Sequence, residues 1–328
     1  MSLLIQGTGE AAARETPARR RRRVDRLPYL LLLPCLAIIG VLLLWPLGQV
    51  VAMSFYKLNN VRQLRGDREW PWVGLANYSQ ILGDPFFRTV LRNTVLFAAA
   101  NVVLTMILGT LVGLLLNRLG KRMATFVASC VMLAWATPAL TGTIVWKWLF
   151  DDTSGLVTWL FNKLPDGLST ALFGRSDWTG YGWFNSPLLF FTILTLVVVW
   201  HSFPFIAVSV LAGLKSVPSE LQEAARVDGA GPWRVFWSVT FPTLRPVFGI
   251  LVVLSTIWDF KVFTQQFVLA GGTQDRSTFM LSIYSYAEAF SPPPKYGLGA
   301  SIAVILTLIL LVVTGLYVRM VLRQEDES

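Results

Sequence analysis

Long apolar runs separated by short polar segments dominate the pattern of this chain. Six of the runs are long enough to cross a hydrocarbon layer of about 30 Å, which takes about 20 helical residues. A helix satisfies its own backbone hydrogen bonds, as lipid requires. We therefore predict an all-α, polytopic membrane protein with six transmembrane helices. The predicted spans are Pro28–Met53, Thr89–Leu116, Met123–Phe150, Pro187–Leu214, Val247–Ala270 and Gly297–Val318.

Composition supports the membrane assignment. Of 328 residues, 54% are hydrophobic and 14% are charged, whereas soluble domains carry about 25% charged residues. The first run could be a signal peptide, but it is longer than the ~7–15 residues of a signal h-region, so a retained span is favoured. Cys35 and Cys130 lie inside predicted spans and show no disulfide or metal-site spacing.

The distribution of Lys and Arg predicts the orientation. Sixteen of the 28 basic residues lie in the two terminal segments and the two even-numbered connecting loops, and the more basic side of a membrane protein faces the cytosol. We therefore predict a cytosolic basic tail (1–27), a six-span domain (28–320) and a cytosolic C-terminal tail (321–328). Arg19–Arg23 beside a span is more typical of topology setting and contact with anionic membrane lipid than of nucleic-acid binding.

The polar segment 215–245, between the fourth and fifth spans, carries an ordered motif. It reads Glu-Ala-Ala, three residues, Gly, nine residues, then Val, any residue, Phe and Pro. The chain here resembles the inner-membrane permease subunits of ATP-binding-cassette (ABC) importers, with Val and Phe in place of the commoner Ile and Leu. The matching positions are Glu223, Ala224, Ala225, Gly229, Val239, Phe241 and Pro242.

This segment has helix signals that agree with the resemblance. A short helix is predicted from Glu220 to Asp228 and ends at Gly229; a second begins at Pro232 and ends at Pro242. From pattern alone, an ordinary amphipathic hairpin between two spans is equally possible. The resemblance instead implies a coupling loop that docks on a cytosolic ATPase. The residues expected to couple are Glu223, Ala224, Ala225, Asp228, Gly229 and Pro242.

Other phrases are similar to the sugar-uptake branch of the family, the maltose and glycerol-3-phosphate permease type. They are Trp72–Tyr78, Gly213–Pro218 and Val268–Gly272. The resemblance implies alternating access for a disaccharide or oligosaccharide in a bacterial cytoplasmic membrane. It also implies a second, different permease chain, two ATPase subunits and an extracytoplasmic solute-binding protein. ATP and Mg would bind the ATPase, so no cofactor, metal or catalytic residue is expected in this chain.

Ionisable side chains at bilayer depth are costly and point to function. His201 lies near the middle of the fourth span, beside Ser202 and Phe205; Asp259 lies near the middle of the fifth, after Ser255 and Trp258. Without the resemblance, the simpler interpretation is that His201 and Asp259 make structural contacts with each other or with neighbouring helices. The resemblance implies that these two spans carry substrate contacts, so the six side chains are the candidate substrate path.

Two other function classes fit less well. An ATPase would need a P-loop, but Gly120-Lys121 is followed by Arg122, and a single histidine excludes most His-based metal enzymes. An ion-coupled secondary transporter could use Asp259 and His201 as a proton relay. It would have no role for the Glu-Ala-Ala segment, and it remains the alternative.

The loop between the third and fourth spans contains one further helix signal. Residues Leu156–Leu164 could form a short helix lying in the membrane interface, with Trp159 as its anchor.

Overall fold

The computed structural model describes residues 27–272 and 275–326, and the chain divides into two compact units, 1–48 and 49–328. The predicted basic tail therefore lies, apart from Leu27, outside the described residues. At the other end, the last helix continues to Asp326, so most of the predicted C-terminal tail is helical.

The described backbone is helical, with β-structure there confined to one bridge between Tyr56 and Trp72. This confirms the all-α prediction. The α-helices are α1 Leu27–Ile39, α2 Trp45–Met53, α3 Val61–Leu64, α4 Ala76–Gly83, α5 Pro85–Arg118, α6 Lys121–Ala136, α7 Ala139–Leu149, α8 Leu156–Phe161, α9 Asp166–Phe173, α10 Pro187–Ser216, α11 Ser219–Val227, α12 Pro232–Val235, α13 Phe241–Phe260, α14 Thr264–Ala270, α15 Leu281–Phe290 and α16 Tyr296–Asp326. Two π-helical turns, Gly40–Leu44 and Phe236–Thr240, and a 3₁₀ turn, Arg276–Thr278, complete the described elements.

The first unit contains α1, a π-helical turn and the start of α2. Its large apolar side chains, among them Leu31, Val41 and Trp45, are exposed. A helix that is apolar all round is typical of a membrane span.

Among the described residues, five helices are long and apolar enough to cross a membrane, or six if the bent pair α6 and α7 is one span. The predicted third span, 123–150, corresponds to this pair and is not one straight helix, because the axis turns by 92° between the two helices. Thr137 at the bend is extended (φ −68°, ψ 129°). The ring of the following Pro138 disfavours the helical conformation for Thr137.

The fifth span also differs from its prediction. Helical structure begins at Pro232 rather than Val247, and it is interrupted at residues 261–263 before α14. The fourth span stays helical through Pro204. Two of the spans are therefore broken, and both breaks lie beside the cavity described below.

Close packing of α5 on α10 forms the centre of the second unit. Gly109 and Gly113 of α5 lie directly against α10. A Cβ added at Gly109 would lie 2.6 Å from the Cβ of Ile206, and a Cβ added at Gly113 would lie 2.9 Å from the carbonyl oxygen of Ala207. Small residues at this spacing let membrane helices approach closely. The contact fixes α10, and with it His201, against the rest of the unit.

Candidate functional site

A cavity of about 700 Å³ opens between the bend of the third span, α10 and the C-terminal end of α13. This volume lies within the 300–1,000 Å³ typical of ligand pockets. Its lining combines aromatic rings, small apolar groups and a few polar side chains. The lining residues are Trp135, Ala136, Thr137, Pro138, Ala139, Val198, His201, Ser202, Trp258, Asp259, Lys261, Val262 and Gln265.

His201 holds the bend of the third span. Its Nε2 lies 3.1 Å from the carbonyl oxygen of Thr137. Because a carbonyl only accepts, Nε2 carries the hydrogen and donates it. The helix break leaves the Thr137 carbonyl without its usual helical donor, so this bond stabilises the bend. His201 thus bonds the bend of a neighbouring span, as the structural interpretation of this residue predicts.

Asp259 contributes a carboxylate to the lining of the cavity. Its side chain is 1% exposed, and Ser255 Oγ, one helical turn earlier, donates to Asp259 Oδ2 at 3.2 Å. A carboxylate has acceptor sites for several donors. The Ser255 bond occupies one of them and orients the group, so Asp259 retains acceptor capacity toward a ligand in the cavity.

An aromatic wall forms another side of the cavity. Trp135 stacks on Phe205 with ring centroids 5.6 Å apart and an interplanar angle of 25°. Phe205 in turn meets the ring of Trp258 edge-on at 5.2 Å. Trp135 and Trp258 line the cavity, while Phe205 supports both of them from behind.

The structure therefore brings four of the six predicted path residues to one cavity: His201, Ser202, Trp258 and Asp259. Ser255 and Phe205 stand behind this lining as supports. Residues missed by sequence reasoning are Trp135, Thr137, Lys261 and Gln265. The available signal for the first two was Pro138 inside an apolar run, because a proline there often breaks a helix.

The coupling loop contains a short exposed helix with a defined end. The predicted helix 220–228 is confirmed within one residue as α11. Glu223, Ala224 and Asp228 are exposed, and Ala225 is half-buried. The helix ends at Gly229 with φ +81°. Two backbone bonds close a Schellman motif, from Gly229 N–H to the carbonyl of Arg226 at 3.0 Å and from Ala230 N–H to that of Ala225 at 2.9 Å.

The prediction that Pro242 ends the second helix of this loop is wrong. The helical path runs from α12 through a π-helical turn directly into α13, with Pro242 in the first turn of α13. Proline lacks an N–H and clashes with the carbonyl four residues before it. The π turn accommodates this by a wider bond, from the N–H of Phe241 to the carbonyl of Phe236. Pro242 thus shapes the helix without terminating it.

Comparisons with known proteins agree with this architecture. Residues 105–325 match the family described as "binding-protein-dependent transport system inner membrane component". The chain is 42% identical to the diacetylchitobiose uptake system permease protein DasB of Streptomyces coelicolor, covering 95% of this chain and 92% of that protein. It is 33% identical to the inner membrane ABC transporter permease protein YcjO of Escherichia coli, covering 87% and 90%.

A solved structure shows the same fold. It is a bacterial ABC transporter involved in the import of the acidic polysaccharide alginate, with a TM-score of 0.71 at 20% identity, covering 91% of this chain and 96% of that one. The family match contradicts the ion-coupled alternative. The chain belongs to the family of binding-protein-dependent transport system inner membrane components and is a multi-pass, inner-membrane permease subunit of an ABC importer.

Proposed function

We propose that this permease carries a disaccharide or short oligosaccharide through the cavity between the third, fourth and fifth spans. The observation that supports the proposal is the lining. Trp135 and Trp258 offer ring faces for the C–H side of a sugar, and Asp259, Ser202 and Gln265 offer acceptors and donors for its hydroxyl groups.

The names of several relatives support a glycoside substrate. Besides the diacetylchitobiose permease, they include the sulfoquinovosyl glycerol transport system permease SmoG of Agrobacterium fabrum, at 30% identity. The trehalose/maltose transport system permease MalF of Thermococcus litoralis is 29% identical. These substrates share hydroxyl-rich rings, and the polar groups beside the aromatic wall suit that shared chemistry.

The exposed surface of the coupling loop supports an ATPase partner. Leu221, Val227 and Trp233 are exposed apolar side chains next to the exposed carboxylates of Glu223 and Asp228. An apolar patch with charged neighbours is typical of a protein–protein interface. We assign this surface to one of two cytosolic ATPase subunits, which bind and hydrolyse ATP with Mg. A second, different permease chain and an extracytoplasmic solute-binding protein complete the importer, with the coupling loop in the cytosol.

The mechanism is alternating access. Closure of the ATPase pair pulls on α11, which the turn at residues 228–231 connects to α12, and the path from α12 through the π-helical turn into α13 is helical. Because Trp258 and Asp259 lie near the end of α13, displacement of α13 moves one side of the cavity relative to His201 on α10. This changes the side of the membrane to which the cavity opens.

The test is substrate uptake into vesicles that contain the full importer. Asp259→Ala removes the oriented carboxylate, and a hydrogen bond to a charged group contributes about 1.5–3 kcal/mol, so we expect uptake at limiting substrate to fall at least tenfold. The candidate substrates are diacetylchitobiose, maltose and trehalose.

Two controls separate transport from assembly. Asp152→Ala removes an exposed carboxylate distant in sequence from the cavity lining and should leave uptake unchanged. Glu223→Ala should release the ATPase in a pull-down without changing membrane insertion. Unchanged uptake in Asp259→Ala would refute the cavity assignment, and uptake without any copurifying ATPase would refute the coupling assignment.

A further inference from the structure

The loop between α7 and α10 exposes several large apolar side chains. Six large apolar side chains on its two helices are between 45% and 65% exposed. Contiguous apolar surface of this kind marks a site of contact with protein or membrane. The six residues are Leu156, Trp159 and Leu160 on α8, and Leu168, Leu172 and Phe173 on α9. We refer to residues 156–173 as the interfacial hairpin.

The two helices that carry these exposed side chains, α8 and α9, are themselves well packed on their inner faces. Trp183 Nε1 donates to Thr158 Oγ1 on α8 at 2.8 Å, and Trp178 Nε1 donates to Ser169 Oγ on α9 at 3.0 Å. The two indole rings stack 5.5 Å apart with an interplanar angle of 11°. The buried hydroxyls of Thr158 and Ser169 therefore fix the inner faces of both helices, which leaves the six apolar side chains on outer faces.

Spacing and composition of the outer faces favour lipid as the occupant. On α8, Leu156, Trp159 and Leu160 recur at three- and four-residue spacing, which places them on one face of the helix. The ammonium of Lys163 lies 5.6 Å from the centre of the Trp159 ring. A tryptophan with a neighbouring lysine is typical of the membrane interface, where the ring lies among the headgroups and the ammonium reaches water.

Along the chain, the apolar surface follows directly on exposed apolar residues of α7, the second half of the bent candidate span. The last turns of α7 expose Ile144, Val145 and Trp148. Only residues 150–155 separate these turns from α8, and the turn is closed by bonds from the backbone N–H groups of Thr153 and Ser154 to the carboxylate of Asp151. The hairpin thus begins where a membrane segment ends.

Electrostatic attraction to anionic lipid headgroups cannot account for binding of the interfacial hairpin to a membrane. Residues 150–186 hold four aspartates and two basic residues, a net charge of −2. The apolar side chains must therefore supply the binding energy, and anionic lipid is not required.

We propose that the interfacial hairpin inserts the outer faces of α8 and α9 into the lipid interface beside α7 and α10. It anchors the connection between the third and fourth spans, so that the hairpin and the outer end of α7 stay at a fixed depth.

Spin-label accessibility tests this in the full-length chain with its copurifying partners in phosphatidylcholine vesicles. Cys35→Ser and Cys130→Ser remove the native thiols, and nitroxide labels are then attached at Trp159→Cys or Leu172→Cys. We expect both labels to collide more often with oxygen, which partitions into lipid, than with a water-soluble nickel chelate. The matched control is Ser176→Cys, an exposed polar position of the same loop, which should show the reverse.

Four results would overturn the proposal. Preferential collision with the nickel chelate at both labels would place the hairpin in water. Chelate accessibility that disappears on adding the solute-binding protein would make that protein the occupant. Low collision rates with both reagents would mean that another protein chain covers the hairpin. The insertion should also persist at high salt, and loss of oxygen accessibility in high salt would contradict an apolar contact.

Discussion

Gly229 offers a sharp test of the coupling loop, because its backbone conformation can be separated from its contacts. Its φ of +81° lies in the left-handed region, and an added Cβ would meet nothing within 4 Å. Replacement by alanine therefore adds no clash, and its cost is that of the backbone alone. For an L-residue this is about 1–2 kcal/mol, which lowers the population of the native turn about fivefold to thirtyfold.

The cost should depend on the side chain in a defined order. Asparagine tolerates the left-handed region best among non-glycine residues, whereas a β-branched valine tolerates it worst. Loss of the turn releases the two Schellman bonds from Gly229 and Ala230, and α11 then loses its fixed angle to α12. We expect coupling to fall in the order Gly229→Asn, Gly229→Ala, Gly229→Val.

The assay measures ATP hydrolysis and substrate uptake in the same vesicles, and coupling is the ratio of uptake to hydrolysis. Gly231→Ala is the matched control, since Gly231 is two residues away, also has open space around it, and has an ordinary φ of −68°. It should retain wild-type coupling. Equal effects of Gly229→Ala and Gly231→Ala, or an unordered series at Gly229, would refute the argument.

Two further substitutions test the packing around the cavity. Gly109→Ala places a Cβ 2.6 Å from the Cβ of Ile206 and should lower the free energy of unfolding by about 1–3 kcal/mol. The control is Gly315→Ala, whose Cβ would meet nothing within 4 Å and which should not lower this free energy. Equal free energies of unfolding for the two variants in detergent would contradict the close packing. Lys147→Met removes the bond from Nζ to the carbonyl of Val268 at 2.8 Å and should lower the free energy of unfolding by about 1–3 kcal/mol. Lys147→Arg keeps a donor at this position and should lose much less. No loss in the methionine variant would show that the bond is dispensable.

The features that sequence predicted well are those set by local rules. A span needs a minimum apolar length, so hydropathy located the membrane segments without tertiary information. The turn at Gly229 follows equally from a local requirement, because glycine adopts a left-handed conformation at little cost. The local pattern is equally that of an ordinary hairpin, and only the resemblance to the permease family implies that this segment couples to an ATPase.

The broken third span could not be predicted by the same rules. Pro138 and Pro204 both lie inside long apolar runs, yet Pro204 remains within α10, whereas Pro138 follows Thr137, the first residue after α6. A local rule treats the two prolines alike. The two prolines differ in their tertiary contacts. Beside Pro138, the carbonyl of Thr137 accepts a hydrogen bond from His201, which is 64 residues away in the sequence. The bend therefore depends on a partner that no local pattern reveals.

The positions of the two breaks explain why a cavity lies between them. Irregular backbone at membrane depth needs a polar partner or a water-filled space, because lipid supplies no hydrogen bonds. The break at Thr137-Pro138 and the break at residues 261–263 both border the same space. Lys147 on α7 bonds to the carbonyl of Val268 on α14 and so connects the C-terminal halves of the two broken spans. The cavity and the breaks thus require one another: without the cavity the exposed backbone would have no polar surroundings, and without the breaks the spans would close the space. A substitution that straightened either span, such as Pro138→Ala with His201→Leu, should therefore abolish uptake through loss of the cavity itself.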